Sequence, residues 1–412
     1  MKYGLIGEKL GHSFSKEIHH RLADYSYELV ELSPAQLDAF LTKRDFSGIN
    51  VTIPYKEAVI PYLDAIDETA QKIGAVNTIS NRDGQLIGYN TDYLGLKALI
   101  QHANLTLQNK KVLILGSGGT SKTALAVAKD CTCRQVIRVS RNAKDACITY
   151  TDASLQHADA QIIINTTPCG MYPQIGESAI NLDDFPALEG VIDVIYNPLQ
   201  SKLVCDALQR GITAVGGLYM LVAQAAFASE IFIGKPISGD CIDQIYQQTL
   251  KDKRNLVLIG MPGCGKTTIA KALADELHLD YVDTDDACVL EDGRSVVDII
   301  TQEGEPYFRR LESSVVRTCA ARQHCVIATG GGAVLDPENV SLLRENGRLY
   351  FIDRPLDLLC ATPDRPLSST REALGERYAE RQDLYQSVCD VHISAKGTIE
   401  EVVDQIRKDL SR

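Results

Sequence analysis

Short apolar runs alternate with longer amphipathic stretches along nearly the whole chain. That rhythm predicts strands alternating with helices, and so α/β architecture with parallel sheets. The segments Gly48 to Ile53, Val112 to Leu115, Gln135 to Val139, Gln161 to Asn165, Val191 to Ile195 and Leu256 to Ile259 read as strands, as does the start, Met1 to Gly7. Ser33-Pro34-Ala35-Gln36 reads as a helix start, with a Ser cap, Pro in the first turn and Gln three residues on. Leu218 to Ile233 reads as a helix of few charges that packs back onto the first half. Pro236 to Asp240 interrupts it, Asp243 to Leu250 predicts one more short helix, and Lys251-Asp252-Lys253-Arg254 is a charged joint, so a domain boundary is placed near Arg254.

Composition narrows the classes. A chain of 412 residues exceeds what one core fills and fits two or three domains. The formal charge of −12, with no basic tract to offset it, argues against a general nucleic-acid partner. No apolar run approaches the roughly 20 residues a membrane helix needs. The N-terminus reads as a strand rather than a signal peptide, so the expectation is a cytoplasmic protein. The 12 cysteines are scattered, with Cys131-Thr132-Cys133 the sole close pair, and they lack the spacing of a structural metal site.

Two of the strands run into glycine turns that open helices. Gly116-Ser117-Gly118-Gly119 follows the first, as in a dinucleotide turn where a pyrophosphate meets a helix N-terminus. The sixth position of the usual G-x-G-x-x-G is here Ser121, so on its own this turn is equally a connector. The next strand ends at Val139-Ser140-Arg141, where an NAD site would carry an acid for the ribose. A hydroxyl and a cation there suit a 2′-phosphate, the alternative being a solvated surface arginine. The second turn, Gly260-Met261-Pro262-Gly263-Cys264-Gly265-Lys266-Thr267, is a complete P-loop: amides and Lys266 for phosphates, Thr267 for Mg²⁺.

Further groups suit carbonyl reduction in the first half. Lys56 follows one strand and Asp92 another, and a Lys meeting an Asp across a cleft can deliver a proton to a developing alkoxide. Taken singly, each reads first as an ordinary surface charge. Ser13 and Ser15 open a helix, where two hydroxyls beside free amides suit an anion.

The ordered blocks Gly11-His12-Ser13-Phe14-Ser15, Asn50-Val51-Thr52-Ile53-Pro54-Tyr55-Lys56, Gly74-Ala75-Val76-Asn77-Thr78, Asn90-Thr91-Asp92, Asn165-Thr166-Thr167-Pro168, Asp193 to Pro198 and Gly217 to Gln224 resemble the shikimate dehydrogenase family, from Lys2 to about Gly234. The resemblance implies NADP(H)-dependent reduction of 3-dehydroshikimate to shikimate. It implies that Ser13 and Ser15 hold the substrate carboxylate and that Thr52, Lys56, Asn77, Asp92 and Gln224 line the ring hydroxyls, with Lys56 and Asp92 catalytic. It puts Tyr196 nearby and Gly217 and Met220 beside the nicotinamide, with Gly116, Ser117, Gly118, Gly119, Ser140, Arg141 and Lys144 around the rest of the cofactor. The family's cofactor patch often reads Asn-Arg-Thr with a second Arg soon after. Here it is Ser140-Arg141-Asn142, followed by Lys144 and Asp145, which favours NADP over NAD.

The second half carries the needs of phosphoryl transfer, which is mostly positioning and charge neutralisation. Asp283-Thr284-Asp285 ends a strand and presents two carboxylates; Arg309, Arg365 and Arg381 suit anions; Thr329-Gly330-Gly331-Gly332 is a turn allowing close approach. Together with Phe308-Arg309-Arg310-Leu311-Glu312 and Arg365-Pro366, this set resembles shikimate kinase from Leu256 onward. By that resemblance Asp285, Arg309, Gly331, Gly332 and Arg381 bind shikimate, with Asp285 near the 3-hydroxyl and counted, like Lys266, as catalytic. Lys266, Thr267 and Asp283 serve MgATP, Thr267 and Asp283 on the metal, and Gly263, Cys264, Gly265 and Thr268 complete the cradle. Arg365 belongs to a lid that is compact between Arg354 and Arg371.

The domain reading is therefore a discontinuous substrate domain (1–95 and 217–250), a Rossmann NADP domain (96–216), a linker (251–254) and a P-loop kinase domain with a parallel sheet (255–412). The small-molecule partners are 3-dehydroshikimate, shikimate and ATP, with NADP(H) and Mg²⁺ as cofactors. Alternatives are quinate or an amino analogue as the first substrate, or a nucleotide sensor with relic sites, against which all five of Lys56, Asp92, Lys266, Thr267 and Asp285 are present.

Overall fold

The computed structural model describes residues 2–11, 13–144, 146–359 and 370–411. Arg365 of the expected lid lies outside these, as do His12 and Asp145 of the quoted motifs. The chain divides into two compact units. Unit 1 holds Met1–Gly170, Ser178–Tyr196 and Leu203–Leu250; unit 2 holds Met171–Glu177, Asn197–Lys202 and Lys251–Arg412.

Unit 1 contains two sheets. The first is built from β1 (Tyr3–Gly7), β2 (Tyr27–Glu31), β3 (Gly48–Val51), β4 (Ala65–Ile66), β5 (Thr78–Arg82) and β6 (Gln85–Tyr89), in the order β2-β1-β3-β5-β6-β4. The alternation of strand and helix predicts parallel pairing, but β5 runs antiparallel to both β3 and β6. Between β5 and β6 the cause is a two-residue hairpin at Asp83-Gly84, both with positive φ (53° and 86°), whose twist matches that of the flanking strands. Asp-Gly between apolar runs is a hairpin signal that the strand–helix rhythm concealed.

The second sheet is parallel throughout: β7 (Lys111–Leu115), β8 (Gln135–Val139), β9 (Cys147–Ile148), β10 (Ile162–Asn165), β11 (Gly190–Asp193) and β12 (Thr213–Val215), in the order β12-β11-β10-β7-β8-β9. Its central strand β7 has all of Val112, Leu113, Ile114 and Leu115 at 0% exposure, because helices cover both faces of such a sheet. The order reverses beside β7, and a crevice opens at the C-terminal end of a strand at such a point. Gly116 to Gly119 sit there.

Local signals set several helices. Ser33 precedes helix Pro34–Lys43, and its N–H donates to the Gln36 side chain at 2.9 Å. Helix Leu218–Ile233 is apolar around most of its circumference, starts at Gly217 and stops at Gly234 in the left-handed region (φ 68°). Its partner is helix Thr91–His102, and the crossing depends on Gly95: a Cβ there would lie 2.8 Å from the Met220 carbonyl oxygen and 2.9 Å from Gln224 Cβ. The segment expected as a short helix is longer. It runs Gly239–Lys253, so most of the charged joint forms its last turn, where cations suit the helix C-terminus.

Unit 2 holds one parallel sheet: β13 (Asn255–Ile259), β14 (Asp280–Asp283), β15 (Cys325–Ala328), β16 (Gly347–Asp353) and β17 (Val391–Ser394), in the order β14-β15-β13-β16-β17. Val257, Leu258 and Ile259 of β13 are wholly buried, and the order again reverses around this strand, which ends in the P-loop. Among the described residues no helix is long and apolar enough to cross a membrane.

Gly95→Val should destabilise unit 1 by roughly 1–3 kcal/mol, since the obstruction includes a backbone carbonyl that cannot rotate away. Thermal unfolding of the full chain would register it as a lowered midpoint for this unit; an unchanged midpoint would disprove the close crossing.

Candidate functional site

In unit 1, four strand or helix ends bring polar groups together. Asn90 accepts a hydrogen bond from Tyr93 N–H and so caps helix Thr91–His102, which fixes Thr91 and Asp92 in its first turn. Lys56 follows β3 by a short turn, and its Nζ lies 2.6 Å from Asp92 Oδ2, with side chains only 15% and 10% exposed. Two charges that read separately as surface residues thus form one half-buried, charge-assisted hydrogen bond.

Beside them Asn77, just before β5, is the hub of a buried network. Its Oδ1 accepts from Thr91 N–H at 2.7 Å, and its Nδ2 donates to Thr91 Oγ1 at 3.0 Å and to Gln224 Oε1 at 3.4 Å. Gln224 Nε2 in turn donates to the Leu221 carbonyl at 2.9 Å. Behind Asn77 stand two groups the sequence analysis left unassigned: Tyr27 donates to Asn50 Oδ1 at 2.7 Å, and Asn50 Nδ2 donates to Thr78 Oγ1 at 3.0 Å. Asn50 sits inside the Asn50-to-Lys56 block, so its place in that motif was the available signal. His19 stacks on Tyr27 with centroids 3.9 Å apart, and burial drives its pKa down to about 3, so it is a neutral packing group.

Ser13 and Ser15 lie at the start of helix Ser15–Leu22, where the Ser13 hydroxyl accepts from Ser15 N–H at 3.3 Å. The residue preceding the helix is Phe14, whose ring meets Tyr196 edge-on at 5.1 Å. Burial raises the Tyr196 phenol, and a hydrogen bond with Ser13 opposes that. Thr52 lies just past β3, its methyl 2.6 Å from where a Cβ on Gly7 would stand.

The glycine turn after β7 is shaped for close approach. Gly116 has φ 115°, and a Cβ there would meet Thr166 Oγ1 at 2.6 Å; Gly118 faces open space and precedes helix Gly119–Asp130. The departure at Ser121 has a physical account: its buried hydroxyl donates to the Gly116 carbonyl at 2.7 Å and braces the turn from inside. A Cβ on Gly119 would stand 3.7 Å from the Lys56 side chain, so turn and lysine are neighbours. Ser140 follows β8 directly, with exposed Arg141 and Lys144 beyond it. A helix N-terminus, an open glycine and two cations fit a phosphorylated dinucleotide. Gly217 is held against the backbone, where a Cβ would strike the Val194 oxygen at 2.1 Å, and Met220 packs in the core at 6% exposure.

In unit 2 one cavity of about 450 Å³ gathers Lys266, Thr267, Asp283, Asp285, Arg309 and Arg381. The P-loop bends at Gly260, Gly263 and Gly265, with φ 146°, 81° and 98°, and Gly265 starts helix Lys266–Leu277. Lys266 Nζ donates to the carbonyls of Gly260 and Met261 at 2.8 and 3.0 Å. Cys264 is buried, whereas Thr268, one residue past Thr267, is exposed. Thr267 Oγ1 donates to Asp283 Oδ2 at 2.7 Å, which places two hard oxygen donors together at a helix N-terminus and suits Mg²⁺ beside phosphates. The strand ends at Asp283; Asp285 belongs to the first turn of helix Thr284–Asp292, its N–H bonded to Asp283 Oδ1 at 2.9 Å.

The three glycines of the next turn each admit a different neighbour. A Cβ on Gly330 would lie 2.5 Å from Asp285 Oδ1 and 2.7 Å from Glu312 Oε1; on Gly331, 2.7 Å from Pro262; on Gly332, 2.0 Å from Arg309 Nη1. Arg309 is clamped, donating to Glu312 Oε2 at 2.7 Å and through Nη2 to Glu305 Oε1 at 2.8 Å. Burial lifts the Glu312 carboxyl above its usual range, with Arg309 pulling the other way. Glu312 was quoted in its motif but given no role; its i, i+3 spacing from Arg309 was the signal.

The family comparisons agree with both geometries. Residues 5–79 match the shikimate dehydrogenase substrate binding domain and residues 262–411 match shikimate kinase. An NADP(+) shikimate dehydrogenase of Clostridium perfringens is 36% identical over 273 residues, covering 60% of this chain and 97% of the relative. That of Geobacillus kaustophilus is 38% identical, covering 57% and 92%. Among solved structures, shikimate dehydrogenase 1 of Peptoclostridium difficile aligns with TM-score 0.57 and 37% identity, over 60% of this chain and 98% of its own. A Thermus thermophilus shikimate 5-dehydrogenase in complex with NADP(H) and shikimate aligns with TM-score 0.55 and 25% identity, over 60% and 99%. The chain belongs to the shikimate dehydrogenase family over its first 60% and carries a shikimate kinase domain at residues 262–411, and is thereby a bifunctional shikimate-pathway enzyme that uses NADP(H), ATP and Mg²⁺.

Proposed function

We propose that unit 1 reduces 3-dehydroshikimate to shikimate and that unit 2 phosphorylates the shikimate 3-hydroxyl. The observation carrying the first step is the Lys56–Asp92 pair at 2.6 Å beside the Asn77–Gln224 network. NADPH, when bound, supplies the hydride. Lys56 holds a proton at Nζ for the oxygen on which negative charge develops, and Asp92 keeps that ammonium oriented. Thr52, Asn77 and Gln224 offer hydrogen bonds to ring hydroxyls, and Ser13 and Ser15, with Tyr196 alongside, a seat for the carboxylate. Gly116 to Gly119, Gly217 and Met220 would flank the cofactor, and Ser140, Arg141 and Lys144 its 2′-phosphate.

In unit 2, Arg309, Arg381, Gly331 and Gly332 would hold the acceptor, with Asp285 as the carboxylate for its reacting hydroxyl. Thr267 and Asp283 would hold Mg²⁺, and Lys266, Gly263, Cys264, Gly265 and Thr268 the nucleotide phosphates; Arg365, outside the described residues, is assigned to the same phosphates by resemblance alone. The hydroxyl oxygen attacks the γ-phosphorus as its proton passes to the Asp285 carboxylate, the bond to the β,γ-bridging oxygen breaks, and ADP leaves. Cytoplasmic placement belongs to the same proposal and rests on the cofactor class.

Purified protein given 3-dehydroshikimate, NADPH and MgATP should form shikimate 3-phosphate with matched NADPH loss; accumulated shikimate would sink the kinase reading, and no NADPH loss the reductase one. Lys56→Ala should cut reduction at least about 100-fold, as expected for a lost general acid, and spare the kinase. Lys266→Ala should do the reverse and abolish the rise in unit 2's unfolding midpoint that MgATP gives the wild type. Either change silencing both activities in folded protein would refute independent sites.

A further inference from the structure

Tyr385 is wholly buried in unit 2, on helix Arg371–Val388, one turn after Arg381. Its ring stacks on Phe351 of β16, with centroids 5.3 Å apart and planes at 17°. From that anchor its hydroxyl donates to the Gly331 carbonyl, and Arg381 Nη1 donates to the same oxygen at 3.2 Å. Spacing of i, i+4 puts both donors on one helix face. Burial raises the Tyr385 phenol, so the hydroxyl stays a donor at neutral pH.

Gly331 is pressed from its other side by Pro262, 2.7 Å from where a Cβ would stand. Its neighbours in the turn are bonded inward: Gly330 N–H to Thr284 Oγ1 at 2.8 Å, and the Gly330 and Gly332 carbonyls to Ala333 and Leu335 N–H. Among the described residues the N–H groups of Gly331 and Gly332 take no such partner, and both glycines line the cavity. In a trans peptide the N–H of Gly332 points opposite to the Gly331 carbonyl. Fixing that carbonyl with two donors therefore fixes where the amide points.

We propose that Tyr385 is a positioning residue for the acceptor subsite: its hydroxyl, sharing the Gly331 carbonyl with Arg381, aims the Gly332 N–H at the hydroxylated carboxylate acceptor. This rests on the kinase reading above. Arg381 and the glycines carry motif signals along the chain, and the tyrosine carries none. What links them is one shared carbonyl, which no spacing in the chain expresses.

Tyr385→Phe keeps the ring and its stacking on Phe351 and removes only the donor. In the full chain, the KM for shikimate should rise roughly three- to tenfold, the worth of one hydrogen bond. The KM for ATP and the dehydrogenase rate should stay within about twofold of the wild type. A shikimate KM within about twofold of the wild type overturns the assignment, and so does a parallel rise in both KM values, which would mark general loosening. A wild type that does not phosphorylate shikimate overturns the kinase reading and this inference with it, whereas an active wild type with an unaffected Tyr385→Phe variant overturns this inference alone.

Discussion

Backbone must come within hydrogen-bonding reach of an anion at the end of a buried parallel strand, and both sites depend on that constraint. Val112 to Leu115 and Val257 to Ile259 are sealed from water on both faces, so their position is set by packing and cannot drift. Each then ends in glycines with positive φ, at Gly116 and at Gly260, and hands the chain to a helix whose first amides lack internal partners. A Cβ at Gly116 would fall 2.6 Å from Thr166 Oγ1, and one at Gly260 would fall 2.8 Å from the Ile352 oxygen. Side chains are excluded from these turns by neighbouring strands as much as by the phosphates they would hold.

Near each turn, cations are held by fixed partners. Lys56 is matched to Asp92 and Arg309 to Glu305 and Glu312, while Lys266 is held by the Gly260 and Met261 carbonyls and the neutral Thr267 hydroxyl donates to Asp283. A half-buried cation without its carboxylate would cost desolvation and swing between rotamers; with it, the direction of the N–H bonds is set before an anion arrives. Unit 1 extends the same economy to neutral groups, where Asn77 satisfies Thr91 and Gln224 at once. Unit 2 does so at Gly331, whose carbonyl takes donors from Arg381 and Tyr385.

Much of this was legible along the chain. Strand β8 and helix Leu218–Ile233 have the bounds that their sequence patterns predict, although β8 is only partly buried. Boundaries were less legible: helix Gly239–Lys253 begins before the expected break at Asp240 has ended and absorbs most of the charged joint. The antiparallel β5–β6 hairpin was missed because two left-handed residues, Asp83 and Gly84, outweighed the prevailing strand–helix rhythm.

By itself the sequence determined the periodicities, the two glycine turns and the residue types that could serve each chemistry, because these rest on covalent neighbours and short spacings. Only the tertiary structure decided which of those residues meet. Lys56 and Asp92 are 36 positions apart and Asn77 and Gln224 147 apart. Glu312 touches its arginine one helical turn away, yet its burial against Gly330 depends on a different element. Tyr385 reads as an ordinary core aromatic until its hydroxyl is seen on a carbonyl 54 residues away. Contacts of that range are fixed by how sheets and helices pack, and packing is a property of the whole core, which no local window of residues contains.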